Sequence, residues 1–113
     1  KQALVLQREL GDRCGEANTW DTLGYSHHHL GDQAQATSCY QRAASMFEEI
    51  GDRAGQAETL IHLADARGAA GGSEAGVAVL RQALRLLDEL HHPDADQVRD
   101  KLSRATMPIS SLT

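Results

Sequence analysis

The chain has 113 residues, 41% hydrophobic and 24% charged, which suits one domain with a modest core. Sixteen acidic side chains against eleven basic ones give a formal net charge of −5, spread along the chain without a basic stripe, so direct nucleic-acid binding is not expected. No apolar run reaches the roughly 18 residues of a membrane span, no signal-peptide pattern occurs, and Cys14 and Cys39 lack the spacing of a disulfide framework or metal knuckle, so the expected setting is a reducing cytoplasm.

Alanine is abundant, there are two prolines, and aromatics make up 4% with Trp20 the sole tryptophan, a composition that predicts an all-helical fold built on Leu, Ala, Val and Ile. Residues 1–10 (KQALVLQREL) read as the end of a helix stopped at Leu10-Gly11, where glycine can take the left-handed conformation. The first residue is not Met and lies in mid-pattern, so the chain reads as a piece of a longer protein. Asp12 is expected to cap a helix over 13–30, and Leu30-Gly31-Asp32 repeats the punctuation, with Asp32 and Gln35 forming a capping box for a helix over 33–50. Gly51-Asp52 opens a third helix to about residue 70, Gly71-Gly72 makes a turn, and Ser73 caps a helix over 74–90. His91-His92-Pro93-Asp94 interrupts, because the residue before proline is pushed out of the helical region. A last, capping helix is expected over 94–106, with Val98 and Leu102 on one face, followed by a frayed tail over 107–113.

These elements repeat. An offset of 40 residues superimposes Gly11-Asp12-Arg13 on Gly51-Asp52-Arg53, and likewise pairs Ala17 with Ala57, Thr19 with Thr59, Leu23 with Leu63, Ala43 with Ala83 and Glu49 with Glu89. A period of this size marks a solenoid of supersecondary units, here 11–50 and 51–90, with 1–10 closing a preceding unit.

Trp20, Leu23, Gly24, Ala36, Tyr40 and Ala43 stand at the W, L, G, A, aromatic and A places of the tetratricopeptide signature, with His27 where tyrosine is usual. Leu60, Leu63, Ala64, Gly76, Leu80 and Ala83 follow in the second unit, with Arg67 at the tyrosine place. Over residues 1–105 the chain therefore resembles the tetratricopeptide repeat family, in a 40-residue form. That resemblance implies a right-handed superhelical stack of antiparallel hairpins, in which Gly24 faces Ala36 and Ala43 while Trp20, Leu23 and Tyr40 fill the space beside that contact. The spacing LGDR…GEA…T…LG and the closing LLDELHHPDADQVRDKL are similar to the C-terminal repeats of large actinobacterial regulators of the antibiotic regulatory protein (SARP) family and their nucleotide-binding relatives. Their DNA-binding and nucleotide-binding parts have no counterpart here, since Gly68 to Gly76 lacks the Lys-Ser/Thr of a phosphate loop.

In the family's register the first helix of each pair lines a concave groove, which implies Asn18, Asp21, Tyr25, His28 and His29 from one unit and Glu58, Ile61, His62, Asp65 and Ala69 from the next. Asp21 and Tyr25 stand where carboxylate-binding members carry Lys and Asn, so an acidic peptide tail is disfavoured and a basic or polar partner expected. Consecutive histidines on a helix point about 100° apart, so His27, His28 and His29 cannot share one ion; a solvated helix end is expected, with no metal and no cofactor. Cys14 and Cys39 are expected to pack as small residues, and the recurring Glu48-Glu49 and Asp88-Glu89 pairs to be solvated faces.

The sequence thus reads as a non-catalytic protein-interaction module, the C-terminal regulatory part of a bacterial transcriptional regulator, binding a protein, a peptide or the parent's own switch domain. The competing reading is a sensor that holds a peptide or small ligand through Asp21, Tyr25, His28 and Asp65. The apolar side of Leu4, Leu6 and Leu10, lacking cover, predicts a homodimer or larger self-association.

Overall fold

The computed structural model describes residues 2–68 and 74–105, with side chains described from residue 12 onward. Five helices follow one another: α1 (Gln2–His29), α2 (Gln33–Ile50), α3 (Arg53–Ala66), α4 (Glu74–Glu89) and α5 (Ala95–Ala105). Each packs on the next, and α1 also touches α3, so the architecture is a tetratricopeptide-like stack of helical hairpins, with no strand among the described residues.

The hairpin turns come from short, local chemistry. Gly31 (φ 84°) and Gly51 (φ 77°) take the left-handed conformation that costs other residues a clash at Cβ. At the second turn the Gly51 N–H donates to the Glu48 carbonyl at 3.1 Å and the Asp52 N–H to the Phe47 carbonyl at 2.9 Å, satisfying carbonyls that α2 leaves without partners. Asp32 then accepts from the Gln35 N–H (3.2 Å) and Asp52 from the Gly55 N–H (2.9 Å), capping α2 and α3. His91 occupies the place of Gly51 one period later and adopts the same left-handed backbone (φ 52°), with the same pair of closing bonds to Asp88 and Leu87. The break expected at His91-His92 is therefore a repeat turn made without glycine.

Two boundaries differ from the sequence expectation. The helix expected to stop at Leu10-Gly11 runs on, and α1 is continuous from Gln2 to His29. A glycine inside a helix costs only about 1 kcal/mol against alanine, and a turn is favoured over it only where the folded-back segment has a surface to bury. The third helix ends at Ala66, before the expected residue 70, because Gly68 takes a left-handed φ of 78° and its N–H donates to the Asp65 carbonyl. The turn expected at Gly71-Gly72, the Ser73 cap, the groove position Ala69 and the tail over 107–113 lie outside the described residues, as do the side chains of Leu4, Leu6 and Leu10.

The main core threads the stack: Ala36 and Tyr40 from α2, Ala57, Leu60, Leu63 and Ala64 from α3, Leu80 and Ala83 from α4, and Val98 and Leu102 from α5. A smaller cluster joins Ala17 to Ala43 and Phe47, with Trp20 half-buried against it and the Arg42 guanidinium 4.7 Å from the Trp20 ring centroid. The tightest contact at Gly24 is with an aromatic ring: a Cβ there would lie 2.7 Å from both Cδ1 and Cε1 of Tyr40. Leu23, expected in the packing set, is 41% exposed, whereas its counterpart Leu63 is 4% exposed. The difference is positional, since α3 is flanked by α2 and α4 while the main packing of α1 among the described residues is on α2. Cys39 is buried and Cys14 half-buried, both as free thiols.

The outer ion pairs keep the period. Arg13 meets Glu49 at 3.9 Å and Arg53 meets Glu89 at 2.6 Å, each tying a hairpin's first helix to the end of its second. Both are solvent-exposed and add little stability.

Candidate functional site

The first helices of the two hairpins, α1 and α3, carry the groove positions. At 100° per residue Glu58, Ile61, His62 and Asp65 share one stripe of α3, and Asn18, Asp21, Tyr25 and His28 recur at three- and four-residue steps on α1. A hydrogen bond joins the two stripes, His62 Nδ1 lying 3.0 Å from Asp21 Oδ1 and linking helices from successive repeats.

This contact is electrostatically loaded. The hydrogen bond to Asp21 raises the His62 pKa above its ordinary 6.5, against an opposing effect of burial, with Asp21, Glu58 and Asp65 adding negative potential. The Tyr40 ring sits 5.6 Å from the His62 ring, beneath the pair. Burial first, then the Asp21 and Asp65 charges, push the Tyr40 phenol up to about 12, so it stays neutral and can donate a hydrogen bond. Further along α3, Asp65 is met by Lys101 of α5 at 3.6 Å.

On the other side of Asp21 a cleft of about 330 Å³ opens between α1, the end of α2 and the start of α3. Asn18, Asp21, Asp52, Glu58 and Thr59 line it, three carboxylates and two neutral polar groups with no cation among the described residues. Thr59 is only 1% exposed and still reaches this wall. Such a surface suits ammonium, guanidinium and amide donors and repels carboxylates.

The expected residues divide accordingly. Asn18, Asp21 and Glu58 share the acidic cleft, and Asp21 also reaches His62. Tyr25 is 54% exposed and lies against His29, with ring centroids 4.1 Å apart. His28 does not converge on Asp21 or His62; its Nδ1 is 2.7 Å from Gln33 Oε1 at the start of α2. Ile61 is half-buried against the core. Among the described residues no three His, Cys, Asp or Glu side chains come together as ligands for a metal ion. Lys101 and Asp52 were not foreseen as groove residues. Asp52 read as a helix cap, which it is, and its carboxylate serves the cleft as well. Lys101 could have been found only by carrying the helix pattern past the His91-His92-Pro93 interruption.

No helix among the described residues is long and apolar enough to cross a membrane. A search of the curated proteins and a search of the solved structures each find no match. Residues 15–89, spanning both hairpins and more than half of the chain, match the family described as Tetratricopeptide repeat. With the hairpin stack, the close helix approach at Gly24 and the recurring turns in place, the chain belongs to the tetratricopeptide repeat family.

Proposed function

We propose that this chain is a non-catalytic protein-interaction module that binds a basic or polar peptide, or a basic face of its own parent protein, along the α1–α3 groove. Tetratricopeptide repeats generally mediate protein–protein interaction. The observation that carries the reading is the acidic cleft formed by Asn18, Asp21, Asp52 and Glu58, with no cation among the described residues that line it. Exposed Tyr25, one turn beyond Asp21 on α1, supplies an aromatic surface on which a lysine or arginine side chain can rest. The similarity to SARP-family repeats supports placing the module in a cytoplasmic bacterial transcriptional regulator, where the bound segment would belong to the switch domain. Self-association through the leading part of α1, at Leu4, Leu6 and Leu10, is part of the same proposal.

A second reading, a sensor for a small ligand, is favoured by the cleft volume of about 330 Å³, which falls at the lower end of the roughly 300–1,000 Å³ of small-molecule sites. Titration of the whole chain with a lysine-rich peptide, a glutamate-rich peptide and a simple diamine separates these readings. The interaction reading expects the lysine-rich peptide to bind and Asp21→Asn with Glu58→Gln to weaken it about tenfold or more. Equal binding of the acidic peptide would overturn it, and tighter binding of the diamine than of the peptide would favour the sensor.

A further inference from the structure

Behind α3, on the side away from the groove, α2 and α4 stand apart and leave a cleft of about 240 Å³. Gln56, Leu60 and Leu63 fall on the stripe of α3 opposite Glu58, Ile61, His62 and Asp65, Arg67 follows them as the residue that caps the end of α3, and all four line this cleft. Leu60 and Leu63 form an apolar floor, 5% and 4% exposed.

Three polar groups around that floor have no side-chain partner among the described residues. Gln56 is nine-tenths buried, at 9% exposure, and among the described residues no group bonds its side-chain amide. Among the described residues no fully buried side-chain polar atom is without a partner, so the Gln56 amide opens into the cleft. Glu48 and Arg67 line the same space, and neither takes part in an ion pair among the described residues. Arg67 also departs from the family signature, which carries tyrosine at that place. An amide that opens into a cleft and bonds no neighbouring side chain is free to bond a peptide group there.

The spacing defines what would fit. The turn at Gly51-Asp52 puts Glu48 beside the Gln56 end of α3, with Gln82 of α4 on the facing wall. Arg67 lies eleven positions beyond Gln56, about 16 Å along the helix at 1.5 Å per residue, a span that about five residues of extended chain cover. The volume of about 240 Å³ is below that of ordinary small-molecule sites and matches a side chain or two of a larger partner. We infer that this cleft is a second docking site, which takes an extended peptide segment of about five residues with a basic residue at one end, an apolar residue at its centre and an acidic residue at the other. Glu48 holds the basic end, Arg67 the acidic end, the Gln56 and Gln82 amides bond the peptide backbone, and the central side chain rests on Leu60 and Leu63.

The test uses three capped, fluorescent pentapeptides, each with a central leucine, ending in lysine and glutamate, in two lysines, or in two glutamates. The parent chain should bind the mixed-charge peptide about tenfold more tightly than either other one, with the side-chain amide resonances of Gln56 and Gln82 shifting on addition. Arg67→Glu should move the preference to the two-lysine peptide, Arg67→Gln should abolish the distinction between those two, and Gln56→Leu should weaken mixed-charge binding with the helical signal unchanged. Asp21→Asn, in the groove on the other side of α3, should leave the ranking as it is. Absence of binding, a ranking insensitive to Arg67, or one that follows Asp21 would overturn the inference.

Discussion

Alanine substitutions at Gly24 and Gly15 make the same chemical change in the same helix and should act in opposite directions. In a helix interior Gly→Ala is favourable by about 0.8–1 kcal/mol, because alanine loses less backbone freedom on folding. At Gly15 nothing lies within 4 Å of the added methyl, so Gly15→Ala should collect that gain in full. At Gly24 the methyl would sit 2.7 Å from two Tyr40 ring carbons and 3.1 Å from a third, about 1 Å inside the ordinary 3.5–4.0 Å carbon contact. Tyr40 is 1% exposed and packed into the main core, so the ring cannot swing out, and α1 must lift from α2. Overpacking of this kind costs about 1–3 kcal/mol. The two variants should therefore differ by about that amount, with Gly24→Ala below the parent or level with it and Gly15→Ala above. Gly24→Leu should fall further. Urea denaturation followed by helical circular dichroism measures both, and each kcal/mol should move the melting temperature by about 4–8 °C in a domain of this size. Equal stabilities for the two alanine variants, or a more stable Gly24→Ala, would refute the assignment of Gly24 as the close-approach position.

The Asp21–His62 hydrogen bond raises the His62 pKa, so its stabilisation is fully present below the unfolded value near 6.5 and is lost as pH rises through the folded value. Denaturation midpoints should accordingly fall as pH rises above about 6.5 and through the raised folded value, and His62→Gln should remove that component of the fall. His91 holds a left-handed backbone at φ 52° where the preceding repeat has glycine, so His91→Gly should stabilise the chain by about 1 kcal/mol; a destabilised variant would show that the ring's contacts outweigh the strain. Leu4→Glu with Leu6→Glu should reduce self-association in light scattering across a concentration series, and a parent chain that stays monomeric at about 100 µM would rule out the apolar leading face as an interface.

What was legible in the chain was its local chemistry. Gly31-Asp32 and Gly51-Asp52 carry a left-handed stop and a side-chain cap in adjacent residues, and each produces a turn where it occurs. The same letters at Gly11-Asp12 lie inside a continuous helix, because a turn also needs a surface for the returning segment, which no local pattern records. Leu23 and Leu63 hold the same register position and differ in burial because only α3 has a hairpin helix on each side. Of the groove, the stripe positions follow from helical periodicity, but the Asp21–His62 contact depends on how α1 crosses α3, and the Lys101–Asp65 pair on where α5 docks. The rear cleft has no linear signature beyond Arg67 in place of tyrosine, since its walls come from α2 and α4 and its floor from α3.

The central claim, that the α1–α3 face is the partner surface and prefers cations, is tested most directly by following backbone and side-chain amide resonances of the labelled chain while the lysine-rich peptide is added. The account predicts shifts concentrated at Asn18, Asp21, Tyr25, Glu58, His62 and Asp65, weakened by salt and absent with a glutamate-rich peptide. Shifts confined to α2 and α4, or equal shifts with the acidic peptide, would contradict it.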